Sequence, residues 1–365
     1  MHWFISIGLA FLPHPATQEL GPEARLEAHF DRCVEEFMGK YELPGLAIAV
    51  ARKGEIVESR AYGWADEEEQ HPVTTESLFR IASVSKPITA VGVLKLVEDE
   101  ELALDDLIFG KKGLLRRVIR RPEGRVGEIT VEHLLRHTAG EAWGNADADP
   151  MFRWDLSGKE LIKRVHQACP IDVAPGTTYS YSNFGYSILG RVIEEVTGDE
   201  YEEWIFENVL EPCGIEAMQV GVMRKRERPE LEVTYYDADN DFAPEFGIRR
   251  MDAHGGWIAS AEDLVRFAMS VDGVAEPAEQ LEPETMAAMT RATFADNGYG
   301  MGWSVNRAKN YWHTGSLPGT ASMLGITHDG MCWAILVNKR PDGSEFYGDL
   351  DALFWNIRAG TPAWK

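Results

Sequence analysis

Two hairpin patterns stand near opposite ends of this chain, and they limit its possible folds more than any other feature. Each consists of two segments rich in strand-forming residues around a turn that contains glycine. The segments and turns are 45–51, Lys53-Gly54 and 55–62, then 322–327, Asp329-Gly330 and 331–337. Because a lone hairpin is only marginally stable in water, the four strands most economically share one antiparallel sheet. The chain therefore has to bring its two ends together.

Apolar residues at helical spacing predict helices at both ends and in the middle of the chain. They recur over 26–38, over 350–357, and over 184–196, where Gly198 follows as a typical helix C-cap. The predicted fold class is α/β in the α+β sense, an antiparallel sheet flanked by the terminal helices plus a mainly helical lobe.

No linker or internal repeat divides the chain, so we predict one domain over residues 26–362. The sheet lobe is expected at about 26–80 and 252–362, and the helical lobe at about 81–251. The active site is expected between the two lobes.

Charge and hydropathy exclude two classes of partner. The formal net charge of −23 at pH 7 repels phosphate backbones, so we predict no nucleic-acid partner. No apolar run reaches the ~20 residues of a membrane-spanning helix, so we predict no integral membrane span. Residues 1–25 are expected to form a leader, because 3–12 have the length of a signal-peptide core although no positive start precedes them. Export to the periplasm or the cell exterior is the resulting expectation.

The segment Ser83-Val84-Ser85-Lys86 has the spacing of a nucleophile beside a base. Residues three apart share one helix face, so the Lys86 amine can reach the Ser83 hydroxyl. Pro87 fits only the first turn of the helix that follows, which places Ser83 at or just before the helix N-terminus, among exposed amides. The alternative is that Ser83 merely caps this helix.

Two further segments offer groups of matching chemistry. Tyr181-Ser182-Asn183 comes just before the middle helix and holds a second candidate base, Tyr181, and an amide able to donate and accept, Asn183. His313-Thr314-Gly315 ends a strand-like segment, and its glycine lets a substrate approach the backbone. The amides of Ser83 and Ser316 are candidates for holding an oxyanion. Each segment alone also fits an ordinary turn or loop.

Taken together and in this order, the three motifs resemble the serine β-lactamase and penicillin-binding-protein superfamily, in particular its class C β-lactamase and family VIII esterase-like branch. The resemblance covers roughly residues 26–358. The segments between the motifs that carry it are 134–140, 175–183, 211–215 and 255–264.

The resemblance implies that Ser83 is the nucleophile and that Lys86 and Tyr181 handle protons. The residues implied to contact substrate are Asn183, His313, Gly315 and Ser316. In most β-lactamases the third motif begins with lysine, which helps to hold a substrate carboxylate, whereas histidine is frequent among family esterases and some D-Ala-D-Ala peptidases. A largely neutral imidazole grips a carboxylate less firmly.

We therefore predict a serine hydrolase that forms an acyl-enzyme at Ser83, most simply a carboxylesterase on small esters. The alternatives are a D-amino-acid peptidase or D-Ala-D-Ala carboxypeptidase, a slow β-lactamase, and, in another class, a non-catalytic penicillin sensor or structural assembly protein. The expected partner is a small-molecule ester or amide, and no cofactor is expected. We hypothesise that tryptophans line an apolar acyl pocket, among them Trp143, Trp257, Trp303 and Trp312.

Other motif readings fail on particular residues. No Gly-x-Ser-x-Gly elbow is present, which argues against an α/β-hydrolase. His133 and His137 have the spacing of zinc ligands, but Leu134 stands where the catalytic glutamate belongs. Residues 237–241 begin like a calcium loop and then lack its glycine. We accordingly predict no metal site.

Overall fold

The computed structural model describes residues 22–145, 156–237, 247–274, 279–293 and 298–364. Most of the expected leader and most of the calcium-loop-like segment lie outside these ranges. The helices are α1 (Pro22–Tyr41), α2 (Ser85–Glu98), α3 (Val131–Leu135), α4 (Gly158–Ala168), α5 (Asn183–Thr197), α6 (Tyr201–Ile205), α7 (Asp252–Gly255), α8 (Ala261–Met269), α9 (Pro283–Met289) and α10 (Phe346–Gly360). The strands are β1 (Gly45–Arg52), β2 (Glu55–Asp66), β3 (His71–Pro72), β4 (Phe79–Arg80), β5 (Gln219–Val220), β6 (Trp257–Ala259), β7 (Ser304–Val305), β8 (Tyr311–Leu317), β9 (Thr320–Ile326) and β10 (Met331–Val337).

One seven-stranded antiparallel sheet contains both predicted hairpins. Its strand order is β3-β2-β1-β10-β9-β8-β7, and β1 pairs with β10 from Leu46↔Val337 to Arg52↔Met331. The first hairpin turns at Lys53 and Gly54, whose φ angles of 53° and 79° are those of a tight two-residue turn. The predicted α+β fold class is confirmed.

The two faces of this sheet are covered by different helices. Leu46, Ile48 and Val50 point into an apolar cluster with α1 and α10. The intervening alanines of β1 point the other way, where α8 packs against β1 and β10. This alternation follows from the two-residue period of a strand, and it separates the terminal helices from the part of the molecule that holds the three motifs.

A second sheet, of three short strands in the order β4-β6-β5, was not predicted from the sequence. Strands of two or three residues carry no readable periodicity. The sheet matters because β4 leads directly into the Ser83 segment, and its pairing of Phe79 with Ala259 ties that segment to the chain beyond α7.

The apolar helix α2 lies in the centre of the molecule, packed by α5, α6 and α7 and buried on nearly all sides. Trp143, Trp257 and Trp303 are at most 1% exposed and belong to the same core, so the hypothesis that they line an open acyl pocket is wrong. Among the described residues, no helix has the length and hydropathy needed to cross a bilayer.

Candidate active site

Ser83 lies in a 3₁₀ turn, Ala82–Val84, between β4 and α2. Pro87 is the third residue of α2, in agreement with its use to locate the helix start. No side chain caps α2, so the alternative of Ser83 as a simple N-cap does not hold. Ala82 has a φ of 49°, a left-handed conformation that costs a non-glycine residue about 1–3 kcal/mol and that neighbouring contacts must hold.

Strands β8 and β9 supply those contacts. The hydroxyls of Thr320 and Ser322 donate to the carbonyls of Arg80 and Ile81, at 2.9 and 2.6 Å. A Cβ atom on Gly315 would lie 2.1 Å from the Ile81 carbonyl oxygen and 2.1 Å from the Ser322 hydroxyl. Glycine is thus required here because β8 passes directly against the nucleophile turn. The sequence analysis had explained this glycine by the approach of a substrate, whereas the structure explains it by the approach of the protein's own backbone.

Lys86 joins the first two motifs. The side chain is fully buried, and its Nζ donates to Ser83 Oγ at 3.0 Å, to Asn183 Oδ1 at 2.7 Å and to the backbone carbonyl of His254 at 2.8 Å. An ammonium group has three donors, and these three acceptors match them. The carbonyl of His254 comes from α7, which no motif indicated.

Tyr181 lies beside this lysine, with its ring centroid 4.8 Å from Lys86 Nζ and 6.2 Å from the centroid of the His313 ring. A cation at that distance from a tyrosine ring is attracted to it. Ser83, Tyr181 and Asn183 are each partly exposed, whereas Lys86 is not. The three motifs therefore converge on one place, which is open to solvent at the nucleophile.

His313 is buried in β8, and both of its ring nitrogens are engaged. Nδ1 lies 2.7 Å from the Thr314 carbonyl and Nε2 lies 3.2 Å from the Tyr299 hydroxyl. Since a carbonyl only accepts, Nδ1 carries the proton. Burial, followed by the charge of Lys86, lowers the pKa of His313 to about 3. The imidazole is uncharged at neutral pH, and the hydroxyl of Tyr299 donates to its Nε2.

Ser316 is exposed at the end of β8, where it pairs with Ala321. The two histidines with zinc-like spacing are engaged separately: Nδ1 of His133 accepts from the backbone N–H of Thr130, and Nδ1 of His137 from that of Ser182. Within the described part of the chain, no three histidine, cysteine or acidic residues are grouped as metal ligands would be.

Sequence reasoning missed several groups that shape this site. These groups contact residues that are distant in sequence, and no local pattern marks them. They are the hydroxyls of Thr320 and Ser322, the carbonyl of His254 and the phenol of Tyr299. His137 lies within 134–140, which the sequence analysis marked as framework, and it was considered there only as a zinc ligand.

Comparison with known proteins identifies the family of this chain. The Beta-lactamase family model matches residues 30–354. Esterase EstB of Burkholderia gladioli is 36% identical over 205 residues, which are 53% of this chain and only 50% of that esterase. Penicillin-binding protein 4 of Amycolatopsis lactamdurans is 28% identical over 349 residues, 88% of each chain.

Among solved structures, the D-amino acid amidase from Ochrobactrum anthropi SV3 superposes with a TM-score of 0.74 at 22% identity, over 92% of this chain and 99% of the amidase. That likeness concerns the fold. The family match extends over most of the sequence, and the three motifs lie within the matched range. This chain belongs to the beta-lactamase family, and its fold is that of the family's serine hydrolases.

Proposed function

We propose that the protein is a carboxylesterase that hydrolyses small esters through an acyl-enzyme at Ser83. The observation that carries this proposal is the state of His313. A lysine at this position provides a charge for a substrate carboxylate, whereas His313 is neutral and uses both nitrogens within the protein. Among the residues of the three motifs the remaining cation is Lys86, whose three donors are committed. Such a site favours substrates without a carboxylate.

In the acylation step, Ser83 Oγ attacks the ester carbonyl carbon. The Lys86–Tyr181 pair, which lacks one proton before the reaction, accepts the proton of the Ser83 hydroxyl. The amides of Ser83 and Ser316 bind the resulting oxyanion, and one such donor typically lowers the barrier by about 3 kcal/mol. Collapse of this intermediate breaks the ester C–O bond, and the leaving alcohol takes the proton from the pair.

Deacylation repeats these steps with water as the nucleophile. The pair accepts a proton from the attacking water, and collapse of the second tetrahedral intermediate returns that proton to Ser83 as the acid leaves. Asn183, held against Lys86 through Oδ1, is placed to orient the acyl group. Similarity to an esterase at 36% identity supports an ester as the substrate class.

The test is hydrolysis of p-nitrophenyl butyrate by the parent and by Ser83→Ala. We expect kcat/KM to fall by at least about 10³-fold in the variant, because removing a nucleophile removes the covalent route. Ser344→Ala, at an exposed serine in the loop before α10, is the matched control and retains the parent rate. Equal ester hydrolysis by Ser83→Ala and the parent would refute the assignment of the nucleophile.

The same preparation decides between the alternatives. Nitrocefin, a D-amino-acid amide and a D-Ala-D-Ala peptide are assayed beside the ester. If kcat/KM is higher for the amide or the peptide than for the ester, the protein is a D-amino-acid peptidase rather than an esterase. If no substrate turns over but labelled penicillin attaches to Ser83, the protein is a penicillin sensor.

A further inference from the structure

Tyr181 is flanked by two hydrogen bonds to one residue outside the three motifs, His137. The backbone N–H of Ser180 donates to the His137 carbonyl at 2.8 Å, and the backbone N–H of Ser182 donates to His137 Nδ1 at 3.1 Å. A single residue thus accepts from the amide on each side of Tyr181.

The conformation of His137 suits this double contact. Its φ is 57°, in the left-handed region that non-glycine residues seldom occupy, and in this conformation its carbonyl and imidazole face the same segment. The whole residue is 1% exposed. Burial, with a smaller contribution from the charge of Lys86, holds the pKa of His137 well below its ordinary value. A neutral ring keeps a lone pair on Nδ1, which the N–H of Ser182 requires.

The imidazole also supports the tyrosine ring directly. Its centroid lies 4.3 Å from that of Tyr181, and 5.0 and 4.8 Å from those of Tyr186 and Tyr299. Tyr299 in turn donates to His313. The position of the Tyr181 ring is therefore defined by His137 as well as by Lys86.

Asn145 holds the same segment through different groups. Its backbone N–H donates to the Tyr181 carbonyl at 3.0 Å, and its Oδ1 accepts from the backbone N–H of Asn183 at 3.0 Å. Four consecutive residues, 180–183, each have a backbone group bonded to His137 or Asn145.

We propose that His137 is a positioning residue that fixes Tyr181 for proton transfer, and that Asn145 completes this support. The inference rests on the proposed role of Tyr181 in the proton-handling pair. Proton transfer needs closely defined geometry, and a displacement of about 1 Å in a catalytic group can lower a rate by about 10²-fold. The support is expected to affect kcat, since none of its bonds involves the substrate.

The test compares His137→Phe, which keeps a planar ring but has no acceptor, with His137→Asn, whose Oδ1 can accept the Ser182 bond and which tolerates a positive φ. We expect His137→Phe to lower kcat for p-nitrophenyl butyrate about 10- to 100-fold with KM within about twofold. His137→Asn is expected to recover most of that loss. His133→Phe, which removes a similar imidazole–amide bond at α3, is the matched control and keeps the parent kcat.

A double-mutant cycle separates positioning from general structural support. In a Tyr181→Phe background, we expect His137→Phe to cause no further loss of kcat or of the rate at which a fluorophosphonate labels Ser83. Independent, multiplying losses would overturn the proposal, as would a folded His137→Phe with the parent kcat. If His137→Phe does not fold, Asn145→Ala takes its place in the same cycle with the same expected result. The activity of Ser83→Ala decides the proposed function separately.

Discussion

Gly315→Ala tests whether strand β8 sets the position of the nucleophile. The added Cβ would lie 2.1 Å from the Ile81 carbonyl oxygen and 3.1 Å from Ala82 Cβ, whereas ordinary contact begins at 3.4 Å. The Ile81 carbonyl and strand β8 would have to move apart by about 1.3 Å. That carbonyl lies two residues before Ser83, so we expect the displacement to reach the reacting oxygen.

We expect kcat/KM for p-nitrophenyl butyrate to fall about 100-fold in Gly315→Ala, the usual cost of a displacement of about 1 Å at a reacting group. Overpacking is also expected to lower the free energy of unfolding by about 1–3 kcal/mol. Urea unfolding followed by circular dichroism measures the second quantity on the same sample.

Gly39→Ala is the matched control, because Gly39 lies in α1 with nothing within 4 Å of the added Cβ. Alanine stabilises a helix relative to glycine by up to about 1 kcal/mol, and the parent kcat/KM is expected. A Gly315→Ala protein with the parent kcat/KM would refute the reasoning, even if its stability had fallen, since the displacement would then not reach Ser83.

Three other substitutions test charges at and away from the site. His313→Lys restores a cation, so we expect faster acylation by carboxylate-bearing penicillins than in the parent; equal acylation rates would contradict our account of His313. Burial raises the pKa of Glu279 from 4.5 to about 7, so the folded state binds this proton more tightly than the unfolded state. The resulting stabilisation is complete below about pH 4.5 and is lost as pH rises through about 7. We therefore expect the Tm of Glu279→Gln, relative to the Tm of the parent, to rise between pH 5 and 8. A Tm difference independent of pH would rule this out. Oε1 of the buried Glu232 lies 3.6 Å from Arg80 Nε and 3.7 Å from Arg228 Nε. We expect Glu232→Ala to lower the free energy of unfolding in urea by about 3–5 kcal/mol, because it leaves buried charges without their partner. A loss below about 1 kcal/mol would argue against these ion pairs.

The elements that the sequence predicted well are those with local causes. Gly330 and Gly198 adopt positive φ angles of 78° and 88° where a turn and a helix end were expected. Pro87 located the start of α2 because proline excludes itself from a helix interior. Helix α1 extends three residues past Met38, since nothing at Gly39 prevents a helical conformation.

The parts that escaped prediction depend on distant partners. Strands β4, β5 and β6 exist through pairing between segments far apart in sequence, and two or three residues give no periodic signal. Lys86 meets its third acceptor 168 positions further along the chain. The neutral state of His313 follows from burial, which only the folded chain defines.

The third acceptor of Lys86 is a main-chain carbonyl, and this bears on how such a site can diverge. A main-chain acceptor does not depend on the chemistry of the side chain at position 254, so the lysine contact persists through any substitution that this buried position can accommodate. What has to be kept is the path of α7, which packs so closely on α5 that a Cβ on Gly190 would lie 2.7 Å from the Ala253 Cβ. Among distant relatives, a small residue at position 190 is therefore a better sign that this lysine contact is present than a histidine at position 254.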